Sequence, residues 1–271
     1  MLTVTDLATY TYCPRKLYIS KVLGVKEPLK KQVVLGRIRH EAFDLMNKQQ
    51  ELIISSITKI DKKFIEGLFR KEYSNALIKS ILNNKVLLRN FNLNTSDVFK
   101  TAWKFMLLEL KQRTELIYNF ILKTGFLGET LWQELEPKIK SEVEVKSESL
   151  KLIGRVDQLL YYKDNVVPVE LKTGKAPVDG VWPSHKIQVE AYVLLVGETT
   201  KLKVNKAVVK YLDTMQERTI VANPFFEYEI KKLVLSINEL LSSKRPPKIC
   251  ANKNKCRYCG LRDFCFAHRD M

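Results

Sequence analysis

Two short stretches decide the fold: residues 154–157, which read GRVD, and residues 170–174, which read ELKTG. The first lies in an apolar run at residues 152–162, and the second overlaps the end of a similar run at residues 166–171. Runs of this length that are rich in Val, Ile, Leu and Tyr are typical of strands. The turn sequence Asp-Asn separates them at residues 164–165. The two runs therefore predict a β-hairpin.

The hairpin carries a candidate site for a divalent cation. Residues i and i+2 of a strand point the same way, so Glu170 and Lys172 share one face, and Asp157 joins them if the hairpin is tight. Two carboxylates repel unless a cation lies between them, and oxygen ligands suit Mg²⁺ or Mn²⁺. A lysine beside such a cation can orient or deprotonate a water molecule, while the cation neutralises charge on a phosphodiester. The alternative is an ordinary surface salt bridge, because Glu-x-Lys is common.

The segments around the hairpin predict an α/β fold. Residues 47–140 carry apolar residues at helical spacing, for example Phe105, Leu108 and Leu116, and predict a helical block. The remaining elements are expected as strands at residues 141–147, 203–212 and 217–221, and as helices at residues 35–46, 187–196 and 223–243.

Composition points to a polyanionic partner. The chain has 271 residues, 45% of them hydrophobic, and its 46 basic and 30 acidic residues give a net charge of +16. Such a charge favours nucleic acid as the partner, the alternative being a basic surface kept for solubility. No segment has the roughly 20 apolar residues of a membrane-spanning helix, and the first 12 residues lack the apolar core of a signal peptide. We therefore expect a cytoplasmic protein without a membrane partner.

The cysteines predict a metal or cluster site. Four of the five lie in the last 22 residues, and three of them have the spacing Cys256-x2-Cys259-x5-Cys265. A disulfide framework would be spread along the chain. A four-thiolate site needs one more ligand, either Cys250 in the same tail or Cys13 near the N-terminus. Spacing alone does not choose between them, or between zinc and an iron–sulfur cluster.

Four motifs in sequence order resemble those of a known family. Residues 36–40 read GRIRH and residues 188–192 read QVEAY, before and after the two hairpin stretches. The series Gly-x-x-x-His, Gly-x-x-Asp, Glu-x-Lys and Gln-x-x-x-Tyr is similar to the RecB-like branch of the PD-(D/E)XK nucleases. The resemblance implies a restriction-endonuclease-like α/β core, with Mg²⁺ or Mn²⁺ as cofactor.

The same resemblance implies roles for individual residues. The metal ligands would be His40, Asp157, Glu170 and the backbone carbonyl of Leu171, and Lys172 would be the catalytic lysine. Gln188 and Tyr192 would support the site and the DNA strand, with Tyr192 able to stack on a base.

The chain ends narrow the resemblance to the CRISPR-associated Cas4 exonucleases. Residues 12–18 read YCPRKLY, which is similar to the Cas4 pattern together with the three spaced cysteines of the tail. This likeness implies a [4Fe–4S] cluster held by Cys13, Cys256, Cys259 and Cys265, with Cys250 as an extra cysteine.

The likeness also implies a function in antiviral defence. The protein would be an exonuclease acting on single-stranded DNA ends, trimming DNA for CRISPR spacer acquisition beside CRISPR integrase proteins. Two alternatives remain: a RecB- or AddB-like DNA repair nuclease, and a non-catalytic DNA-binding adaptor with a structural cluster.

We expect four regions along the chain. Residues 1–46 hold the N-terminal cluster cysteine and the motif-histidine helix, residues 47–140 a helical insertion, residues 141–243 the nuclease core, and residues 244–271 the cluster-binding tail. The insertion is longer than the corresponding part of compact Cas4 proteins. It is either a structural insertion or a cap over a DNA channel, to which five side chains would contribute: Lys71, Tyr73, Lys100, Trp103 and Lys104.

Overall fold

The computed structural model describes residues 1–269. Its helices are α1 (Val4–Tyr12), α2 (Pro14–Lys21), α3 (Lys31–Lys48), α4 (Gln50–Ser55), α5 (Lys62–Asn83), α6 (Lys85–Asn90), α7 (Thr95–Thr124), α8 (Gly128–Glu134), α9 (Pro183–Thr200), α10 (Phe226–Ser242), α11 (Lys253–Tyr258) and α12 (Arg262–Ala267). Its strands are β1 (Leu2–Thr3), β2 (Lys138–Ser147), β3 (Leu152–Tyr161), β4 (Val166–Lys172), β5 (Lys206–Tyr211) and β6 (Gln216–Val221).

The six strands form one mixed sheet with β3 and β4 near its centre. β2 pairs antiparallel with β3 along one edge from Lys138 to Ser147. The other edge of β3 pairs with β1 at its start and with β4 at its end. β4 continues in parallel with β5, which pairs antiparallel with β6. The two central strands are therefore those that carry the GRVD and ELKTG stretches.

Helices cover both faces of this sheet. On one face, α3, α5 and α7 share a core with Val167, Val169 and Leu171 of β4. On the other face, α1, α9 and α10 pack against a core that includes Val156 and Val166. The helices of residues 47–140 bury their apolar side chains against the sheet in a shared core, so they extend one face of the α/β layer structure.

Capping residues explain where α1 begins and where α7 begins and ends. Thr3 and Asp6 form a reciprocal capping box, which ends β1 and starts α1. The 30-residue α7 begins at Asn94, whose side chain accepts hydrogen bonds from two backbone N–H groups. It ends at Gly125, which adopts the left-handed conformation with φ 71°.

The predicted α/β fold and the β-hairpin are confirmed, and the predicted strands and helices lie within a few residues of the observed ones. The helical spacing of Leu108 and Leu116 is confirmed by α7, whose buried stripe runs through Ala102, Met106 and Leu110, while Leu108 and Leu116 are exposed. One suggestion was wrong: Tyr73 is fully buried, so it cannot contribute to a DNA channel. Within residues 1–269, the helices all fall short of the combined length and hydrophobicity needed to cross a bilayer.

Candidate active site

The GRVD stretch lies in a gap between two strand pairings. The β3–β4 ladder ends at the pair Gln158–Val169, and β1 pairs only with Leu152 and Ile153 on that edge. Side chains then satisfy backbone groups that a continuous ladder would pair. The Leu171 N–H donates to Asp157 Oδ2 at 2.7 Å, and the Tyr192 hydroxyl donates to the Arg155 carbonyl at 2.8 Å. The gap brings motif residues of β3, β4 and α9 together.

A network of side-chain hydrogen bonds joins the other motif residues. Lys172 Nζ donates to Glu170 Oε1 and to Gln188 Oε1, both at 2.8 Å. Gln188 Nε2 donates to Glu170 Oε1 at 2.6 Å and lies 3.3 Å from the Tyr192 hydroxyl. Gln188 and Tyr192 share one side of α9 because they are one helical turn apart. This network holds the lysine ammonium beside the Glu170 carboxylate.

Glu170 combines burial with an unsatisfied oxygen. Its side chain is only 6% exposed, and its Oε2 is buried without a hydrogen-bond partner. Burial, followed by the negative charge of Asp157, raises the pKa of Glu170 to about 7. A buried carboxylate oxygen without a donor is costly unless a proton or a cation meets it. These features fit a divalent cation.

His40 and Asp157 converge with a third side chain, Glu142 of β2. Among residues 1–269, these three make the one set of His, Cys, Asp or Glu ligand atoms that all lie within 4.8 Å of one another. His40 Nδ1 is 3.4 Å from Asp157 Oδ1. Burial lowers the pKa of His40, but the hydrogen bond and charge of Asp157 outweigh burial, so its pKa is raised. Sequence patterns did not single out Glu142.

The glycine of the GRIRH stretch brings the histidine helix close to the hairpin. A Cβ at Gly36 would lie 3.2 Å from Thr173 Oγ1, so α3 packs directly on the end of the ELKTG stretch. His40 follows one turn later on the same helix. The structure thus brings His40, Asp157, Glu170, Lys172, Gln188 and Tyr192 into one region, with Glu170 outside the tight group of three ligands.

His185 lies at the margin of this region. Its Nδ1 is 3.2 Å from the Tyr211 hydroxyl. Burial and the charge of Lys172 lower the pKa of His185 to about 4, which keeps the imidazole neutral at neutral pH.

The five cysteines form a second constellation, far from the first in sequence. All five are half-buried and line one cavity: Cys13, Cys250, Cys256, Cys259 and Cys265. Burial, together with the nearby thiolates, raises the pKa of the Tyr12 hydroxyl beside them to about 12. The structure therefore brings Cys13 to the tail, and it brings Cys250 there as well.

Hydrogen bonds fasten the tail to the N-terminal helices. The Tyr12 hydroxyl donates to the Lys255 carbonyl at 2.6 Å. The guanidinium of Arg15, which is almost fully buried, donates to the carbonyls of Pro247 and His268, each at 2.7 Å. These contacts hold the chain ends together around the cysteine cavity.

Comparison with known proteins decides the family. The family model described as the PD-(D/E)XK nuclease superfamily matches residues 1–266. The chain belongs to the PD-(D/E)XK nuclease superfamily. The resemblance drawn from the four motifs is thereby confirmed, and so is the mixed α/β nuclease fold.

Individual relatives of this PD-(D/E)XK nuclease fall into two groups. The CRISPR-associated exonuclease Cas4 of Francisella tularensis subsp. novicida is 31% identical over 133 residues, covering 45% of this chain and 60% of that protein. A CRISPR-associated exonuclease Cas4/endonuclease Cas1 fusion of Leptospira interrogans is 27% identical over 149 residues, 52% of this chain and 28% of the fusion. The DNA replication ATP-dependent helicase/nuclease dna2 of Schizosaccharomyces pombe is 24% identical over 286 residues, 100% of this chain and 18% of that protein.

The chain thus spans less than two thirds of the length of each of these relatives. Among solved structures, the crystal structure of SSO0001 matches 68% of this chain and 79% of its own chain, at 20% identity and a TM-score of 0.37.

Proposed function

We propose that this PD-(D/E)XK nuclease hydrolyses DNA phosphodiesters in the presence of Mg²⁺ or Mn²⁺, as an exonuclease on single-stranded ends. The observation that carries the proposal is the buried Glu170 carboxylate, which has one oxygen bound to Lys172 and the other without a partner. The free Glu170 oxygen, beside the Asp157 carboxylate, can bind a divalent cation. The lysine held on the other Glu170 oxygen can contact a phosphate or a water molecule.

The residues that would hold the cation are His40, Asp157, Glu170 and the carbonyl of Leu171. When bound, the cation supplies charge neutralisation for the phosphodiester and lowers the pKa of a bound water. Asp157 is positioned for this task by the Leu171 N–H, which fixes one of its oxygens.

Lys172 is held for a role next to the cation. An ammonium has three N–H donors, of which two go to Glu170 and Gln188 at 2.8 Å. The third can donate to a substrate oxygen or to the attacking water, stabilising negative charge as it develops. Gln188 and Tyr192 act as positioning residues, since they fix the lysine and the Arg155 backbone.

Charge supports DNA as the substrate. The net charge of +16 favours the approach of a polyanion, because counterions are released when basic side chains neutralise phosphates. The exonuclease preference for single-stranded ends rests on the resemblance to Cas4.

The proposed setting is cytoplasmic DNA trimming for CRISPR spacer acquisition, with an integrase as partner. Its support is the Cas4/Cas1 fusion relatives of Leptospira interrogans and Myxococcus xanthus. A second candidate is a nuclease that works with a helicase in DNA replication or repair. It is favoured by the dna2 match, which spans 100% of this chain, residues 47–140 included. An integrase gene or a helicase gene adjacent to the coding gene would separate the two.

The cysteine cavity is proposed to hold a [4Fe–4S] cluster on Cys13, Cys256, Cys259 and Cys265. Its support is that Cys13, from the N-terminal end of the chain, lines the same cavity as the tail cysteines. The alternative is a zinc site confined to the tail, with Cys250 as its fourth ligand.

The test is cleavage of end-labelled single-stranded DNA by the full chain with Mn²⁺, Mg²⁺ or EDTA. We expect metal-dependent cleavage that Lys172→Ala reduces at least about 10²-fold, because an aligned charge near the reacting phosphate is lost. Lys163→Ala is the matched control, since Lys163 is exposed at the far end of the same hairpin. Equal cleavage by wild type and a folded Lys172→Ala variant would refute the assignment. DNA binding without cleavage by wild type would indicate the adaptor alternative.

A further inference from the structure

Glu142 has a backbone conformation that its place in β2 does not explain. By register it lies opposite Asp157, between the pairs Ser141–Gln158 and Val143–Val156, and the ladder skips it. Its φ is 52°, a left-handed conformation that is costly for a residue with a side chain. Glu144, two residues later, pairs regularly with Arg155 and is exposed. The two glutamates look alike in sequence but not in structure.

The Glu142 carboxylate lies next to the motif residues. One of its oxygens lies within 4.8 Å of ligand atoms of both His40 and Asp157. Its ion-pair partner is Arg155, at 3.8 Å with a side chain 65% exposed, so this pair stabilises Glu142 only weakly. Two carboxylates and an imidazole therefore converge with little compensating positive charge.

A second, independent observation, on the other side of Asp157, also indicates a cation. Glu170 is more than nine-tenths buried, its Oε2 has no partner, and the charges of both Asp157 and His40 act on it. Asp157 has one oxygen on the Leu171 N–H beside Glu170 and the other facing His40. It thus lies between the Glu170 side and the Glu142 side of the site.

We propose that Glu142 is a direct ligand of the divalent cation, entering the site from β2 together with His40 and Asp157. The inference rests on the proposed function, which requires that cation. Carboxylate oxygens suit Mg²⁺ and Mn²⁺, and the imidazole favours a transition-metal ion, so Mn²⁺ is the appropriate probe. The register of β2 with β3 places Glu142 opposite Asp157, whereas Glu144 lies opposite Arg155, farther along the strand.

The test measures Mn²⁺ binding to the full chain by titration calorimetry, with no DNA present. Glu142→Gln should weaken Mn²⁺ affinity at least about tenfold, since even residues that only support a ligand cost 10–100-fold. Glu144→Gln removes the same charge from the same strand and should leave the affinity unchanged. Glu142→Gly removes the carboxylate while accommodating the positive φ, and should weaken binding as much as Glu142→Gln.

Thermal unfolding supplies the second readout. Without metal, Glu142→Gln should have a Tm equal to or above that of wild type, because it relieves repulsion from Asp157. The increase in Tm that Mn²⁺ produces should shrink in the same variant, since that increase reports the binding affinity. Wild-type Mn²⁺ affinity in both Glu142 variants, with affinity lost in Asp157→Asn, would overturn this proposal alone. No Mn²⁺ binding by wild type would overturn the proposed function with it.

Discussion

Gly154 of the GRVD stretch gives the sharpest test of how the site is built. A Cβ at this position would lie 2.7 Å from Tyr192 Cε1 and 2.8 Å from Val4 Cγ2. Both distances are below van der Waals contact, and both neighbours are fully buried, so neither can swing into solvent. Gly154→Ala must therefore push α9 or α1 away from β3.

The size of the effect follows from packing. Inserting one methyl group into a filled core typically costs about 1–3 kcal/mol. In a domain of this size, the loss lowers Tm by about 2–4 °C per kcal/mol. Displacing the Tyr192 ring also disturbs its hydroxyl, which donates to the Arg155 carbonyl and lies next to Gln188. We therefore expect DNA cleavage to fall along with stability.

The assay is thermal unfolding at a fixed scan rate, followed by DNA cleavage well below the Tm. Gly67→Ala is the control: Gly67 lies within α5, and a Cβ there meets nothing within 4 Å. That substitution should raise stability by about 0.5–1 kcal/mol, because alanine loses less backbone entropy in a helix. If Gly154→Ala were as stable as wild type, the conclusion that α1 and α9 pack tightly against β3 at Gly154 would be wrong.

Two further predictions concern the metal and the cysteines. Mn²⁺ affinity should rise between about pH 6 and 8, because Glu170, with its pKa raised to about 7, must lose its proton to bind the ion. In metal-free protein the same raised pKa makes the free energy of unfolding fall as pH rises, since the stability that protonated Glu170 contributes is present at low pH and lost as pH rises through 7. Glu170→Gln should flatten both the affinity profile and the stability profile. Unchanged profiles in that variant would refute this role of Glu170. Anaerobically purified protein should be brown and contain four irons per chain. Cys13→Ser should abolish the colour and Cys250→Ser should not. The reverse pattern in the two variants, or zinc in place of iron in the purified protein, would contradict the ligand assignment.

Much of the site could be predicted because its signals are local. The alternation of side chains in a strand put Glu170 and Lys172 on one face, and the helical turn put Gln188 and Tyr192 on one side of α9. Their hydrogen bonds agree with both inferences. Spacing alone also predicts the tail cysteines as ligands, and this stays a prediction.

Other features depended on packing between distant segments. Tyr73 and Leu108 show the limit: both lie in helical patterns, but only the way α5 and α7 pack decides that Tyr73 is buried and Leu108 exposed. Cys250 equally could not be placed beside Cys13 from spacing, because that proximity requires the tail to dock on α1 and α2.

The sequence by itself determined the strand pair, the order of the motifs and the family they belong to, since each rests on short-range periodicity and residue type. Only the tertiary structure decided that Glu142, and not Glu144, meets His40 and Asp157. The physical reason is the register of β2 with β3, which puts Glu142 opposite Asp157 and Glu144 opposite Arg155. The alternation of polar and apolar residues within β2 is the same at both glutamates, so it cannot distinguish them.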